Sequence, residues 1–366
     1  MKLTCSRNNL IEALNTVQRS VAVRSTNPVL DGILMTADQS LILTGYDNET
    51  GIEYRMDADI SCKGSIVVPA KIMLDVVRSL PDNNVYLEVK DDTVLLVESG
   101  KSVFHIRGYA SERYPEIHFI EDKVKIEIEQ KKLKQMINQT IFSVSSDLGR
   151  PILMGLNLIC RDGTMTLVAL DGFRLAVRHQ MIRGLSENIN IIIPSKAMGE
   201  IARILKDSDD EVTIFPSHNY IIFSCDNVKV VTRLIKGEFL DYKTIIPRNA
   251  ETSLIIAPDV LLAAVERASI MIETDDRRFP VTFYCEGKDI MRVTSKTDIG
   301  TAREEIPVAL SGEPVEIDFN PRFFIEVLRQ ITDERVLITF NGSLGPCSIR
   351  PENGDEFYYL VLPLRR

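Results

Sequence analysis

The sequence predicts an α+β protein of three like domains, each with two helices packed on antiparallel sheets. Three observations predict it. A strand–proline–helix–strand pattern occurs three times, about 125 residues apart. A second amphipathic helix precedes each copy. Alternating apolar residues, as in Val85, Leu87 and Val89, mark half-buried strands between them.

The three copies begin SIVVPAKIMLDVVRSL from Ser65, NIIIPSKAMGEIARIL from Asn190 and VEIDFNPRFFIEVLRQ from Val315. Pro69, Pro194 and Pro321 stand at the strand-to-helix junctions, where a fixed φ and a missing N–H are tolerated. The preceding helices are predicted over Asn8–Gln18, Lys131–Phe142 and Pro258–Met271. Strand hairpins should follow each: Leu41–Tyr46 into Gly51–Ile60, Met165–Leu170 into Arg174–Met181, and Ile290–Ser295 into Thr301–Ile306. Six helices and about two dozen strands result. Domain borders are expected near residue 121, after HFIED, and near residue 250, after IIPRNAE. The expected domains are 1–121, 122–250 and 251–366.

Composition bounds the function. The chain has 366 residues, 45% of them hydrophobic, and a net charge of −9. A domain that grips nucleic acid through a uniformly basic surface is excluded, so a DNA function must use a local basic face or something other than affinity. The start MKLTCSRNNLIEAL is read as neither a signal peptide nor an anchor, and no later run approaches a membrane span. The six cysteines are scattered without CxxC spacing, which fits reduced thiols in the cytoplasm, with no metal site. There is no P-loop, and the histidines (His105, His118, His179 and His218) show no metal or triad spacing. The carboxylates Asp209, Asp210 and Glu211, and the loop Asp275, Asp276, Arg277, Arg278, read as solvated turns. A metal-dependent nuclease is the enzymatic alternative, and no readable carboxylate set favours it. Neither catalysis nor a cofactor is expected.

The repeated helices share a charge pattern. Lys71, Asp75 and Arg78, then Lys196, Glu200 and Arg203, then Arg322, Glu326 and Arg329, each run basic, acidic, basic at i, i+4, i+7 on one stripe. Met73, Val76, Val77 and Leu80 take the opposite side of the first helix. One such stripe reads as a solvated face of weak ion pairs. Three in register also read as a net-positive surface that attracts phosphate without reading bases. Lys131, Lys132, Lys134, Arg267, Arg7 and Arg19 add to it from the other helices.

Local strings carry a resemblance. MKLTCSRNNLIEAL followed by VAVRSTNPVLDGILM, then LVALDGFRLAV, IIIPSKAMGEIARIL, LIKGEFLDYKTIIP and the ending YYLVLPLRR resemble, in order and spacing, the bacterial DNA polymerase III beta subunit family, the beta sliding clamps. The resemblance covers residues 1–366. It implies three repeated DNA-clamp domains and a ring closed by a head-to-tail homodimer around duplex DNA. It also implies a role as a non-catalytic processivity factor. The implied partners are the polymerase III alpha subunit, the ATP-dependent clamp loader and other proteins with clamp-binding motifs. A monomeric peptide-binding scaffold that does not encircle DNA is the alternative.

The resemblance implies site residues by position. The partner-peptide pocket would comprise Leu153, Gly155, Leu170, Gly172, Phe173, Arg174, Leu175, Leu240, Thr244, Ile245, Leu344, Pro346, Tyr359, Val361, Leu362, Pro363, Leu364 and Arg365. Leu175, Ile245, Val361 and Leu362 are expected in the deep subsite, with Arg174 flanking it. Family members carry proline at the place of Leu240, arginine at Thr244, threonine at Leu170, and methionines at Leu362 and Leu364. Pro151 and Ile152 replace tyrosines, which removes stacking from that loop. By themselves, Asp171-Gly172 reads as a hairpin turn and the tail as a terminal strand. Residues expected to face DNA are Arg24, Lys71, Arg78, Lys134, Arg150, Lys196, Arg203, Arg322 and Arg329. The dimer interface is expected to pair an edge strand carrying Lys101, Phe104, His105, Ile106 and Arg107 with one following Asp298 and carrying Glu304 and Glu305. Ile270 and Met271 would be its apolar plug.

Overall fold

A computed structural model describes residues 1–366 apart from 23–24, 118, 120–123, 183–186, 248, 273–278, 287–288 and 365–366. Arg24, His118, Arg365 and the Asp275–Arg278 loop therefore lie outside the described residues, as does most of HFIED at the first expected border.

Among the described residues, six helices form where the apolar spacing predicts them, with shifted ends. They are α1 (Arg7–Val17), α2 (Ala70–Ser79), α3 (Gln130–Asn138), α4 (Ser195–Ile204), α5 (Pro258–Ser269) and α6 (Pro321–Leu328). The third stops four residues before Phe142. Thr140 turns its hydroxyl back onto the Met136 carbonyl, and a short 3₁₀ turn over Ile141–Ser143 follows. At α6, Asn320 caps the backbone N–H of Arg322 and Pro321 occupies the first turn. In α2, Met73, Leu74 and Val77 are buried while Lys71, Asp75 and Arg78 are exposed, as the stripe requires.

The described chain packs as two compact units, residues 1–131 with 203–234, and residues 132–202 with 235–366. The first unit holds a five-stranded and an eight-stranded antiparallel sheet, the second a nine-stranded and a four-stranded one. Each of the six helices precedes three strands, and the last strand of each triplet has a particular fate. The strand Thr50–Met56 pairs with Val228–Arg233, and Arg174–Met181 pairs with Phe357–Val361. The two large sheets thus run across the expected domain borders. The remaining two, Ser102–Arg107 and Gly300–Pro307, are edge strands of the two smaller sheets. The long strand expected over Gly51–Ile60 is two strands, Thr50–Met56 and Asp59–Cys62. The second of these leaves the large sheet to pair with Lys2–Ser6.

The core of the second unit is aromatic. Phe283, Phe319 and Phe324 lie with ring centroids 4.8–5.4 Å apart in tilted and edge-on contacts, fully buried. Tyr359, Val361 and Ala176 belong to this same core. A smaller core on the other face of the nine-stranded sheet joins Leu153, Leu170, Leu175, Val177, Tyr242 and Leu360. Strand alternation explains the split: Leu175 stands opposite Leu360 in register, and Ala176 opposite Tyr359.

Candidate functional sites

The region predicted as a partner pocket lies within the second unit. Its floor is the smaller core, where Leu153, Leu170 and Leu175 are buried. Asp171 and Gly172 make the predicted turn. The Asp171 carboxylate accepts from the backbone N–H groups of Phe173 and Arg174, and Gly172 has φ +94°, a conformation open to glycine. The Leu362 N–H donates to the Phe173 carbonyl at 2.8 Å, which fastens the tail beside this turn. Phe173, Leu240, Ile245, Leu344 and Leu362 are exposed although large and apolar, Leu344 and Leu240 at 77% and 60%. Large apolar side chains gain by burial, and where several lie together on a surface they favour contact with a partner. Gly155 is glycine for space: a Cβ there would come within 2.7 Å of the Ile193 carbonyl and the Ile192 side chain. Thr244 is exposed, and Pro346, Pro363 and Leu364 are half-buried.

Three assignments need correction. Val361 and Tyr359 do not face this surface. Both are buried on the opposite face of the sheet, because they alternate with Leu360. Leu360, missed in the sequence, is the inward residue of the tail, and a period-two reading of Tyr358–Leu362 would have found it. Arg174 does not flank a deep subsite. Its side chain is only 7% exposed and is enclosed by Asp171 (3.0 Å), Glu326, the Phe142 carbonyl and the Phe323 ring (4.5 Å from guanidinium to centroid). Burial pushes the Glu326 carboxyl up, but hydrogen bonds from Arg322 and Arg174 outweigh that and hold it below its usual range.

A cavity of about 370 Å³ lies next to the predicted pocket and contains none of its residues. Val177, His179, Tyr242, Ile246, Tyr358 and Arg350 are among those that line it. Burial lowers the affinity of His179 for a proton, and its Nδ1 shares a 2.9 Å hydrogen bond with the Thr166 hydroxyl.

The basic stripes are on the surface. Lys71, Arg78, Lys196, Arg203, Arg322 and Arg329 are all exposed, and Lys134 is half-buried. Their charges are not all directed outward. Arg322 binds Glu326 at 2.8 Å, Arg329 binds Glu266 at 2.7 Å, and Arg150 approaches Asp147 at 3.5 Å. Arg78 donates to the Asn15 side chain at 2.7 Å. Other predicted contributors are similarly engaged. Lys131 pairs with Asp209, Arg267 with Glu304 at 2.6 Å, and Arg7 donates to the Val77 carbonyl at 3.0 Å near the C-terminal end of α2. This last contact suits a cation at a helix C-terminus.

At the two edge strands, the predicted interface residues divide. Lys101, His105 and Arg107 are exposed on or beside one strand, and Asp298 and Glu305 on or beside the other; Phe104 and Glu304 are half-buried. Ile106 is 5% exposed and packs inside its own unit. Ile270 is 71% exposed, and Met271 sits against Gly300 at the start of the second edge strand. Ile299 and Val103, on the same strands or the turn before them, are 72% and 54% exposed. Among the described residues, no three His, Cys, Asp or Glu side chains gather to hold a metal ion. No helix among them is long and apolar enough to cross a membrane.

The architecture defines a class: an α+β protein built on a repeated unit of one helix followed by antiparallel strands, with large apolar side chains exposed on part of its surface. Family models for the DNA polymerase III beta subunit match in order, the N-terminal domain over 1–118, the central domain over 127–241 and the C-terminal domain over 243–365. The chain belongs to the DNA polymerase III beta subunit family, the DNA sliding clamps. It is 31% identical to the beta sliding clamp of Staphylococcus aureus over 100% of this chain and 99% of that protein. The crystal structure of the DNA polymerase sliding clamp from Bacillus subtilis matches with a TM-score of 0.97 and 29% identity, covering 100% of this chain and 99% of that one. A sliding clamp from Pseudomonas aeruginosa bound to griselimycin matches with a TM-score of 0.94 and 28% identity, covering both chains completely.

Proposed function

We propose that this clamp closes around duplex DNA as a head-to-tail homodimer, with residues 1–121, 122–250 and 251–366 as its three repeating domains. It catalyses nothing and needs no cofactor; it tethers other proteins to DNA in the cytoplasm. The observation that carries this reading is the fate of the six terminal strands. Four pair within the chain, and Ser102–Arg107 and Gly300–Pro307 remain as edges. An exposed edge is a template for another strand. One edge carries Lys101, His105 and Arg107; the other carries Asp298, Glu304 and Glu305 with Arg303 among them, a net negative set, so charge favours pairing the two unlike edges. Head-to-tail contacts of this kind close into a ring when the rotation fits.

DNA would meet Arg24, Lys71, Arg78, Lys134, Arg150, Lys196, Arg203, Arg322 and Arg329. Ion pairs within the stripes, such as Arg322 with Glu326, leave a surface that attracts phosphate weakly, which suits sliding. The exposed Phe173, Leu240, Ile245, Leu344 and Leu362 would receive a short apolar motif. The polymerase III alpha subunit, the ATP-dependent clamp loader and other motif-bearing proteins would supply it. The test is topological. Loaded onto a nicked circular plasmid by a clamp loader and ATP, the protein should stay with the plasmid in high salt and be lost when the plasmid is linearised. A chain that sediments as a monomer and is never retained on circles is a peptide-binding scaffold instead.

A further inference from the structure

The cavity beside the partner groove lies on the same face of the same sheet. Along the strand Arg174–Met181, Leu175 floors the groove, Val177 belongs both to that floor's core and to the cavity, and His179 lines the cavity further along. On the neighbouring strand, Leu360 and Tyr358 repeat this step. Two residues along a strand advance about 7 Å, so the cavity begins one side-chain position beyond the groove floor. One connecting segment borders both: Ile245 is exposed at the groove, and Ile246 and Pro247 wall the cavity.

We infer that this cavity is a further anchoring subsite of the partner groove, and that it takes one aromatic side chain from the residues flanking a partner's motif. The inference rests on the groove reading above. Continuity along one sheet face makes the occupant a partner's extended chain, since a segment lying over Leu175 and Leu360 continues toward Val177 and Tyr358. The chemistry of the walls makes it aromatic. Val177, Tyr242, Ile246 and Tyr358 present apolar and ring surface, while the His179 ring and the Asp355 carboxylate offer acceptors for an indole N–H or a phenol O–H, and Arg350 offers donors for a phenol oxygen. About 370 Å³ falls within the range of small ligand sites and accommodates one such side chain.

The chain contains no tryptophan, so a tryptophan in a peptide reports its own burial by fluorescence. The probe is a synthetic peptide with leucine and phenylalanine anchors, carrying tryptophan in turn at each of the first few flanking positions on either side. The same peptide with alanine at those positions is the reference. At one position, tryptophan should tighten binding about tenfold over alanine, as a single buried aromatic anchor does, with a blue-shifted emission. Filling the cavity by Thr339→Phe, or at its exposed rim by Arg350→Phe, should remove that gain and leave the alanine peptide bound as before. A benzophenone at the same position should crosslink the unmodified chain at the His179 or Tyr358 segment, which does not depend on either variant folding. No gain at any position, a gain that survives both fillings, or crosslinks elsewhere would overturn the subsite. Failure of the alanine peptide to bind would overturn the groove as well.

Discussion

The guanidinium of Arg174 is bound to the carboxylate of Glu326, 152 residues further along the chain. Arg174 leads the strand after the Asp171–Gly172 turn, and Glu326 lies in α6 on the stripe with Arg322 and Arg329. The arginine side chain is 7% exposed and the glutamate 25%. Asp171, the Phe142 carbonyl and two aromatic rings complete the enclosure. Arg174 is the cation that joins this cluster, so removing it leaves the largely buried Asp171 carboxylate unmatched.

Arg174→Ala is therefore expected to destabilise the chain by about 3–5 kcal/mol, the cost of breaking a buried pair. Glu326→Gln should cost less, because Asp171 still neutralises the arginine. Arg322→Ala, an exposed partner of the same carboxylate, should cost no more than about 1 kcal/mol. Urea unfolding followed by circular dichroism ranks the three. An Arg174→Ala midpoint equal to that of Arg322→Ala would show that the enclosure contributes nothing.

Stability should also fall as the pH drops past the histidine range, in part because of His179. Its folded-state proton affinity is lowered, first by burial. Between its folded pKa and the unfolded value of about 6.5, the unfolded chain binds more protons, so stability is fully present above that value and is lost as pH falls through the folded pKa. His179→Gln should flatten the decline just below pH 6.5 and leave stability at pH 8 little altered. Unfolding midpoints of both proteins across this range provide the check, and parallel curves would assign the decline to other groups.

Cysteine reactivity should separate one thiol from five. Burial pushes the Cys5, Cys160 and Cys285 thiols up to about 12 and Cys225 up to about 11, and it raises Cys347 as well. Cys62 is exposed. Near pH 8 the buried five are neither ionised nor reachable, so a thiol reagent should modify Cys62 alone in the folded chain and all six after denaturation. Mass spectrometry counts the additions; fast labelling at a second cysteine would show an opening that exposes its core.

Much of this molecule was legible in the sequence because its signals are local and repeated. Prolines before helices, apolar spacing and turn residues act within a few positions, so the six helices and the Asp171–Gly172 turn followed from them. The basic stripes were legible as positions on a helix, since that depends only on helical period. Their partners were not: Arg329 finds Glu266 on α5, 63 residues away, and Arg174 finds Glu326. The facing of the tail was readable from alternation, yet resemblance by position set Val361 rather than Leu360 in the groove. The cavity beside Val177 and Tyr358 gathers side chains from several strands and a connecting segment, and no local pattern announces such a meeting.

At the proposed ring interface, the exposed Ile270 and Ile299 should dominate. Ile106 is already buried in its own unit, so Phe104 and Val103 remain to receive them. Fully desolvated apolar contacts carry most of an interface's energy, while rim charges tune specificity and rate. The Arg267–Glu304 pair is made within the chain, so Glu304 offers less to a second copy than its charge implies. Ile270→Asp with Ile299→Asp should yield monomers in sedimentation at low micromolar concentration, whereas Glu304→Gln should leave the dimer. A double variant that stays dimeric would move the interface elsewhere.

The tail provides the sharpest test of the partner groove. Residues 357–361 are held in the sheet by pairing with Arg174–Met181 and Cys347–Pro351, so removing residues 362–366 leaves that strand in place. The deletion takes away the exposed Leu362 side chain and two backbone hydrogen bonds, Leu362 to the Phe173 carbonyl and Leu364 to the Asp318 carbonyl. The Asp171–Gly172 turn then loses its neighbour, and the groove loses one of its five exposed apolar walls. The proposed edge strands carry none of the deleted residues, so the dimer should persist. A clamp-binding peptide with leucine and phenylalanine anchors should bind the intact chain in the micromolar range, about 7–8 kcal/mol, and bind the truncated chain too weakly to measure. Calorimetry on the two proteins, with sedimentation to show that both are dimers, decides it; undiminished affinity in a truncated dimer would remove the tail from the site.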